Sequence, residues 1–158
     1  MSTHAELIDR FYAAFAAQDA EAMIACYHPE VRFSDPVFPD LDAREAAGMW
    51  RMLCKRAKDF SLEHSDVKAE GDRGSAHWEA RYVFSATGRQ VHNVIDAEFR
   101  FADGKIIDHR DRFDFYRWSR QALGPAGLLL GWTPVVRNKV RAQARAGLDA
   151  FLSTGAVD

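Results

Sequence analysis

Near Phe60 the spacing of apolar residues drops from about four to two, dividing the chain into a helical opening and a stranded middle. Upstream, Leu7, Phe11 and Phe15 recur every fourth residue behind the capping-box pair Thr3 and Glu6, which predicts a helix over residues 4–17. Asp19 caps a second, short helix through Met23, Ile24 and Tyr27, with Pro29 as its stop. A third helix starts at Asp42 and Glu45 and carries Ala46, Met49, Trp50, Leu53 and Cys54 on one side. Between the second and third, VRFSDP (31–36) alternates as a short strand that Pro36 ends.

Downstream, turn signals at 71–74, Thr87-Gly88 and Asp103-Gly104 separate the four strands of an antiparallel meander. Strand alternation places Trp78, Ala80, Tyr82 and Phe84 on one face, then Asn93, Ile95, Ala97, Phe99 and Phe101, then Ile107, His109, Asp111, Phe113 and Phe115. The opposite face collects His77, Glu79, Arg81, Asp96, Glu98, Arg100, Asp108, Arg110 and Arg112, so it is solvated or touches another subunit. Helical spacing returns from Trp118 to Leu123 and breaks at Gly124-Pro125. It resumes behind Thr133-Pro134 with Val136, Val140, Ala144, Leu148, Phe151 and Leu152. The fold class is α+β: a curved mixed or antiparallel sheet wrapped on three N-terminal helices, with an extra C-terminal helical extension.

Charge narrows the partners. Lys and Arg number 21 against 23 acids, a net charge of −2, so no domain-wide basic footprint for nucleic acid exists. Cys26 and Cys54 are the only cysteines and read as buried thiols of a reducing compartment. Glu6, Asp9 and Arg10 interrupt the first apolar stretch, which no signal peptide tolerates, so the expected location is cytoplasmic. The longest nearly uncharged run, 125–136, is shorter than the roughly 20 residues needed to span a bilayer.

Polar groups on an apolar face are the informative exceptions, because burying them is costly unless they are paired or used. Asp35, Asn93, His109 and Asp111 are those groups. A carboxyl in an aromatic pocket is pushed toward neutral pKa by desolvation and becomes a usable general acid or base. The same four could instead satisfy one another, and Asp35 before Pro36 could cap a turn. Phe11, Phe15, Trp50, Trp78, Tyr82, Phe99 and Phe113 form the core and are the candidates to line a pocket. His109 and Asp111 with Asp35 or Asn93 could present nitrogen and oxygen ligands, but the spacing is not diagnostic, so neither metal nor cofactor is expected. No glycine-rich phosphate loop, nucleophile elbow or reactive-cysteine motif occurs.

FYAAFAAQDAEAMIACYHPEVRFSDP, the DAREA helix start, TGRQVHN and FADGKIIDHRDRFDF, in this order, resemble the nuclear transport factor 2-like superfamily over about residues 4–117. That superfamily includes SnoaL-like polyketide cyclases, ketosteroid isomerases and limonene epoxide hydrolases. The resemblance implies a cone-shaped fold with a pocket between helices and concave sheet, and commonly a homodimer. It places the isomerase base on Asp35, while the isomerase's tyrosine and protonated aspartic acid fall on Phe11 and Ala97. A catalytic aspartate of the epoxide hydrolase falls on Asp111, and its water-holding asparagine on Asp35. Its Arg-x-Asp pair lands on Trp78 and Ala80, with Glu79 and Arg81 on the other face unless a bulge shifts the register.

The expectation is therefore a pocketed core over residues 1–117 and an extension over 118–158. The core is expected to serve a cofactor-independent acid/base enzyme, an isomerase, cyclase or hydrolase acting on a small hydrophobic substrate. The alternative is a non-catalytic ligand-binding or interaction module of the same fold. For the extension, packing on the same domain or a dimer partner comes first, then a lid, then contact with an acidic membrane surface.

Overall fold

A computed structural model describes residues 3–154. Three helices come first, α1 (His4–Ala16), α2 (Ala20–Ile24) and α3 (Ala43–Arg56), with strand β1 (Tyr27–Ser34) between α2 and α3. The meander β2 (Lys58–Glu70), β3 (Arg73–Phe84), β4 (Arg89–Ala102) and β5 (Lys105–Arg112) follows, then α4 (Phe115–Leu123), α5 (Pro125–Leu130) and α6 (Pro134–Ser153). The helix starts are built as the side chains dictate: the Asp42 carboxylate accepts from Glu45 N, and the Glu45 carboxylate accepts from Asp42 N. Asp114 and Thr133 cap α4 and α6 one way only, their side chains accepting from Arg117 N and Val136 N.

The five strands form one open, mixed sheet in the order β1-β5-β4-β3-β2, with β1 parallel to β5 and all other pairs antiparallel. Ala102 pairs with Lys105 across a two-residue turn in which Asp103 and Gly104 both have positive φ (55° and 74°), the hairpin geometry that Asp-Gly favours. β2 is bent by two register shifts, near Asp59 and Asp66, whose left-handed φ values mark the extra residues. The sheet thus curls around α1 and α3, as expected of a cone. Rings from both layers meet in the core: Phe11, Phe15, Trp50, Trp78, Phe33 and Phe99 are almost wholly buried.

Several sequence readings need correction. Tyr27 does not end α2; it opens β1, and Pro29 lies within that strand. β1 is an edge strand, where a missing N–H is tolerated. Ile106, not Ile107, is buried, because a shift between Arg100 and Phe101 displaces the β4–β5 pairing by one residue. Phe115 belongs to α4, since the Asp114 cap turns the chain out of the sheet. Cys26 is buried, but Cys54 is only half-buried. No shift occurs in β3–β4, so Trp78 and Ala80 stay inward, and Glu79 engages His77 and His92 on the outer face.

The C-terminal helices join the core by two routes. Leu148 and Leu152 of α6 pack on α3 beside Gly48, where even a methyl group would collide with Leu152. Phe115, Trp118 and Ala122 of α4 form a smaller cluster with Val91. Val37, Tyr82 and Phe113 touch both clusters and form the seam between them. Among the described residues no helix is long and apolar enough to cross a membrane.

Candidate active site

His109 and Asp111 lie two apart on β5, so both point toward the helices. His109 is wholly buried between Phe33 of β1 and Phe99 of β4, its strand partners on either side, with Trp50 of α3 stacked above it. In that apolar cage both ring nitrogens are engaged. Trp50 Nε1 donates to the Tyr27 hydroxyl oxygen at 2.9 Å, and Tyr27 lies 2.8 Å from His109 Nδ1. On the other side, His109 Nε2 lies 2.9 Å from Asp111 Oδ1.

Donor chemistry orients this chain. An indole N–H only donates, so the Tyr27 oxygen accepts from Trp50 and its O–H is left for His109 Nδ1. His109 then carries its proton on Nε2 and donates it to Asp111. Trp78 Nε1 approaches the same Asp111 oxygen at 3.4 Å, a long and weaker bond. Asp111 is thereby fixed on one oxygen by donors from β5 and β3. Burial raises the Tyr27 hydroxyl well above its usual pKa of 10, with the Trp50 bond opposing, so the phenol remains a donor.

Asp35 follows β1 in a loop closed by the Phe33–Leu41 bridge. Its Oδ1 accepts from Val37 N at 2.7 Å and Phe38 N at 2.6 Å, which is the turn-capping role the sequence allows. Desolvation, with the Asp111 charge adding to it, raises its carboxyl to about 7, against the pull of the two backbone N–H groups and Arg141. Arg141 of α6 bonds Pro36 O at 2.8 Å and so holds the same loop. Tyr82, whose hydroxyl is pushed up to about 12 by burial and accepts from Trp118 Nε1, also senses the Asp35 charge. Asn93 is buried on β4, opposite Ala80 and on the same face as Asp111's partner Ala97.

The seven aromatic candidates divide. Phe11, Phe15, Trp50, Trp78 and Phe99 are core; Tyr82 and Phe113 are half-buried along the seam beside the Asp35 loop. A cavity of about 590 Å³ lies on the outer side, among Lys68, Arg73, Glu98, Arg100 and Arg110, away from Asp35 and Asp111. Among the described residues no cluster of three or more His, Cys, Asp or Glu could hold a metal ion.

Two residues escaped the sequence reading. Tyr27 was obscured by Pro29, although Tyr27, Val31 and Phe33 continue the inward pattern of β1 around a register shift. Tyr12 sits one helix turn from Ile8 and is wholly buried; its hydroxyl is the one buried side-chain polar atom without a partner among the described residues. Burial raises its pKa well above 10, and the Asp111 and Tyr27 charges add to the effect, so it remains protonated near them.

Solved structures share this architecture. An NTF2-like protein of unknown function from Burkholderia pseudomallei is 20% identical, with a TM-score of 0.68 over 77% of this chain and 98% of that one. A putative polyketide cyclase from Pseudomonas putida is 21% identical, with a TM-score of 0.65 over 77% and 99%. An LEH-like epoxide hydrolase of M. tuberculosis is 20% identical, with a TM-score of 0.63 over 78% and 90%. A search of curated proteins finds none that matches. The profile of the SnoaL-like domain matches residues 8–109, from α1 to His109. With that match spanning more than half its length and the cone fold in place, the chain belongs to the SnoaL-like domain family of the NTF2-like superfamily.

Proposed function

We propose that this protein is an acid/base enzyme for a small hydrophobic substrate, with Asp35 as general acid and Asp111 as general base, and with no cofactor needed for the proton transfers. One observation carries the reading: Asp35 is a desolvated carboxyl whose pKa is raised to about 7, so it keeps a transferable proton near neutral pH, and it lies close enough to Asp111 to feel its charge. Asp35 would protonate a substrate oxygen, and Asp111 would take the proton from water or carbon, leaving the pair to be reset by solvent. Tyr12 and Asn93 would hold the oxygen as negative charge develops. His109, with both nitrogens occupied, acts through Asp111 as a positioning residue. Val37, Tyr82 and Phe113 offer the apolar approach along the seam.

Structural neighbours described as a putative polyketide cyclase and an LEH-like epoxide hydrolase lend support to both chemistries on this architecture. The alternative, a non-catalytic ligand-binding or interaction module, is favoured by the ring-filled interior and the outward location of the large cavity. A panel of hydrophobic epoxides and cyclic ketones decides between them, read by diol formation and by deuterium exchange beside the carbonyl in D2O. Asp35→Asn and Asp111→Asn should each lower turnover by roughly 10²–10⁴-fold. Wild-type activity should fall as pH rises through about 7, and Asp35→Asn should lack that inflection. Turnover unchanged in both variants would remove the assignment, and no turnover across the panel would favour the binding module.

A further inference from the structure

α5 is packed inside out. Its buried positions are glycine: a Cβ on Gly127 would lie 1.9 Å from the Ser119 carbonyl oxygen, and one on Gly131, just past the helix, 2.0 Å from Ser119 Oγ. The backbone therefore rests directly on α4, and Leu128, Leu129 and Leu130 project outward with Trp132 and Val135. Leu129, Trp132 and Val135 are 69%, 67% and 75% exposed. Five large exposed apolar side chains between Leu128 and Val135 are not scattered surface residues. Trp132 already satisfies its indole N–H on Leu129 O, which leaves the ring free to enter an apolar medium.

Between the acids Asp114 and Asp149 the charge along the chain has one sign. From Phe115 to Leu148 the sequence contains Arg117, Arg120, Arg137, Lys139, Arg141 and Arg145 and no acid, in a chain whose net charge is −2. Arg141 and Arg145 are engaged with Pro36, Glu45 and Asp149. Arg117, Arg120, Arg137 and Lys139 are exposed. Arg120 lies over the ring of Tyr116, whose hydroxyl donates to Leu128 O, so this cation borders the leucines. Arg137 lies over Phe115, one turn into α6.

We propose that the α5–α6 corner docks on an anionic lipid surface, with Leu128–Leu130, Trp132 and Val135 entering the headgroup boundary and the four cations contacting lipid phosphates. A second copy of the chain is the weaker occupant, because a two-fold contact here would bring the same cations against one another. Co-sedimentation with vesicles of phosphatidylcholine alone, or mixed with phosphatidylglycerol, tests the idea. Binding to the mixed vesicles should exceed that to neutral ones by roughly tenfold or more and weaken with salt. The double variant Leu129→Ser/Trp132→Ser, at exposed positions, should keep its circular dichroism and lose roughly tenfold or more of that binding. Three results overturn the proposal: no vesicle binding, equal binding to both vesicle types, or undiminished binding by the folded variant. A concentration-dependent dimer that the double variant dissociates, without vesicle binding, would also overturn it and assign the corner to self-association.

Discussion

Two tyrosines in the same core illustrate how much depends on partners. Tyr27 is embedded in a chain of donors and acceptors: Trp50 gives to it and it gives to His109. Removing its hydroxyl leaves an indole N–H and an imidazole nitrogen unpaired where water does not reach, so Tyr27→Phe should cost about 1–3 kcal/mol for each orphaned group. Tyr12 has an equally buried hydroxyl with no partner among the described residues. Its removal eliminates an existing penalty, and Tyr12→Phe should leave stability unchanged or raise it by up to about 1–3 kcal/mol while weakening substrate turnover. Urea denaturation of the two variants checks the sign; a loss in both would mean that Tyr12 is already satisfied. Residue chemistry was only partly legible in the sequence. Asp35, Asn93, His109 and Asp111 stood out as polar groups on apolar faces, whereas the Tyr27–His109 bond joins positions far apart in the chain, and no local pattern announces it.

At the scale of elements, alternation sufficed wherever a strand was regular. β3 and β4 read correctly because their pairing runs unbroken from Arg73–Arg100 to Phe84–Arg89. β1 and β5 read less well: Pro29 resembles a helix stop, and the bulge at Ile107 adds a residue that a period of two cannot show. The outer face yields a pH prediction. His77 on β3 bonds Asp96 of β4 and Glu79 of its own strand, and Glu79 also receives His92. These carboxylates raise His77 above its ordinary 6.5, the Asp96 bond contributing most, while the His77 and His92 bonds lower Glu79 below its ordinary 4.5. The raised His77 therefore contributes stability that is full below 6.5 and lost as pH rises through its folded value. The lowered Glu79 contributes stability that is full above 4.5 and lost as pH falls through its own folded value. Both contributions coexist between 4.5 and 6.5. The Tm difference between wild type and His77→Gln should be largest there and shrink above it; a difference independent of pH would mean the cluster does not couple β3 to β4.

For the whole molecule, the question is whether the C-terminal helices unfold with the core or ahead of it. The sequence pattern separates them, because the helical period restarts after Tyr116 and breaks at Gly124-Pro125, where the apolar run begins. Packing argues for a single unit. Leu148 is fully buried and belongs to the same cluster as Phe11, Trp50 and Phe99, and Leu152 fills the space that Gly48 leaves on α3. Arg141, two turns earlier on α6, holds Pro36 O beside Asp35, so the helix that completes the core also steadies the loop of the proposed acid. Leu148→Ala should therefore destabilise the entire fold by about 2–5 kcal/mol. Its thermal unfolding should remain one cooperative transition, shifted down by roughly 5–15 °C. Hydrogen exchange locates the effect: protection should fall together in α3, β5 and α6. If exchange accelerated in α6 alone and a separate early transition appeared, α6 would be an independently melting appendage, and its hold on the Asp35 loop would not depend on the core.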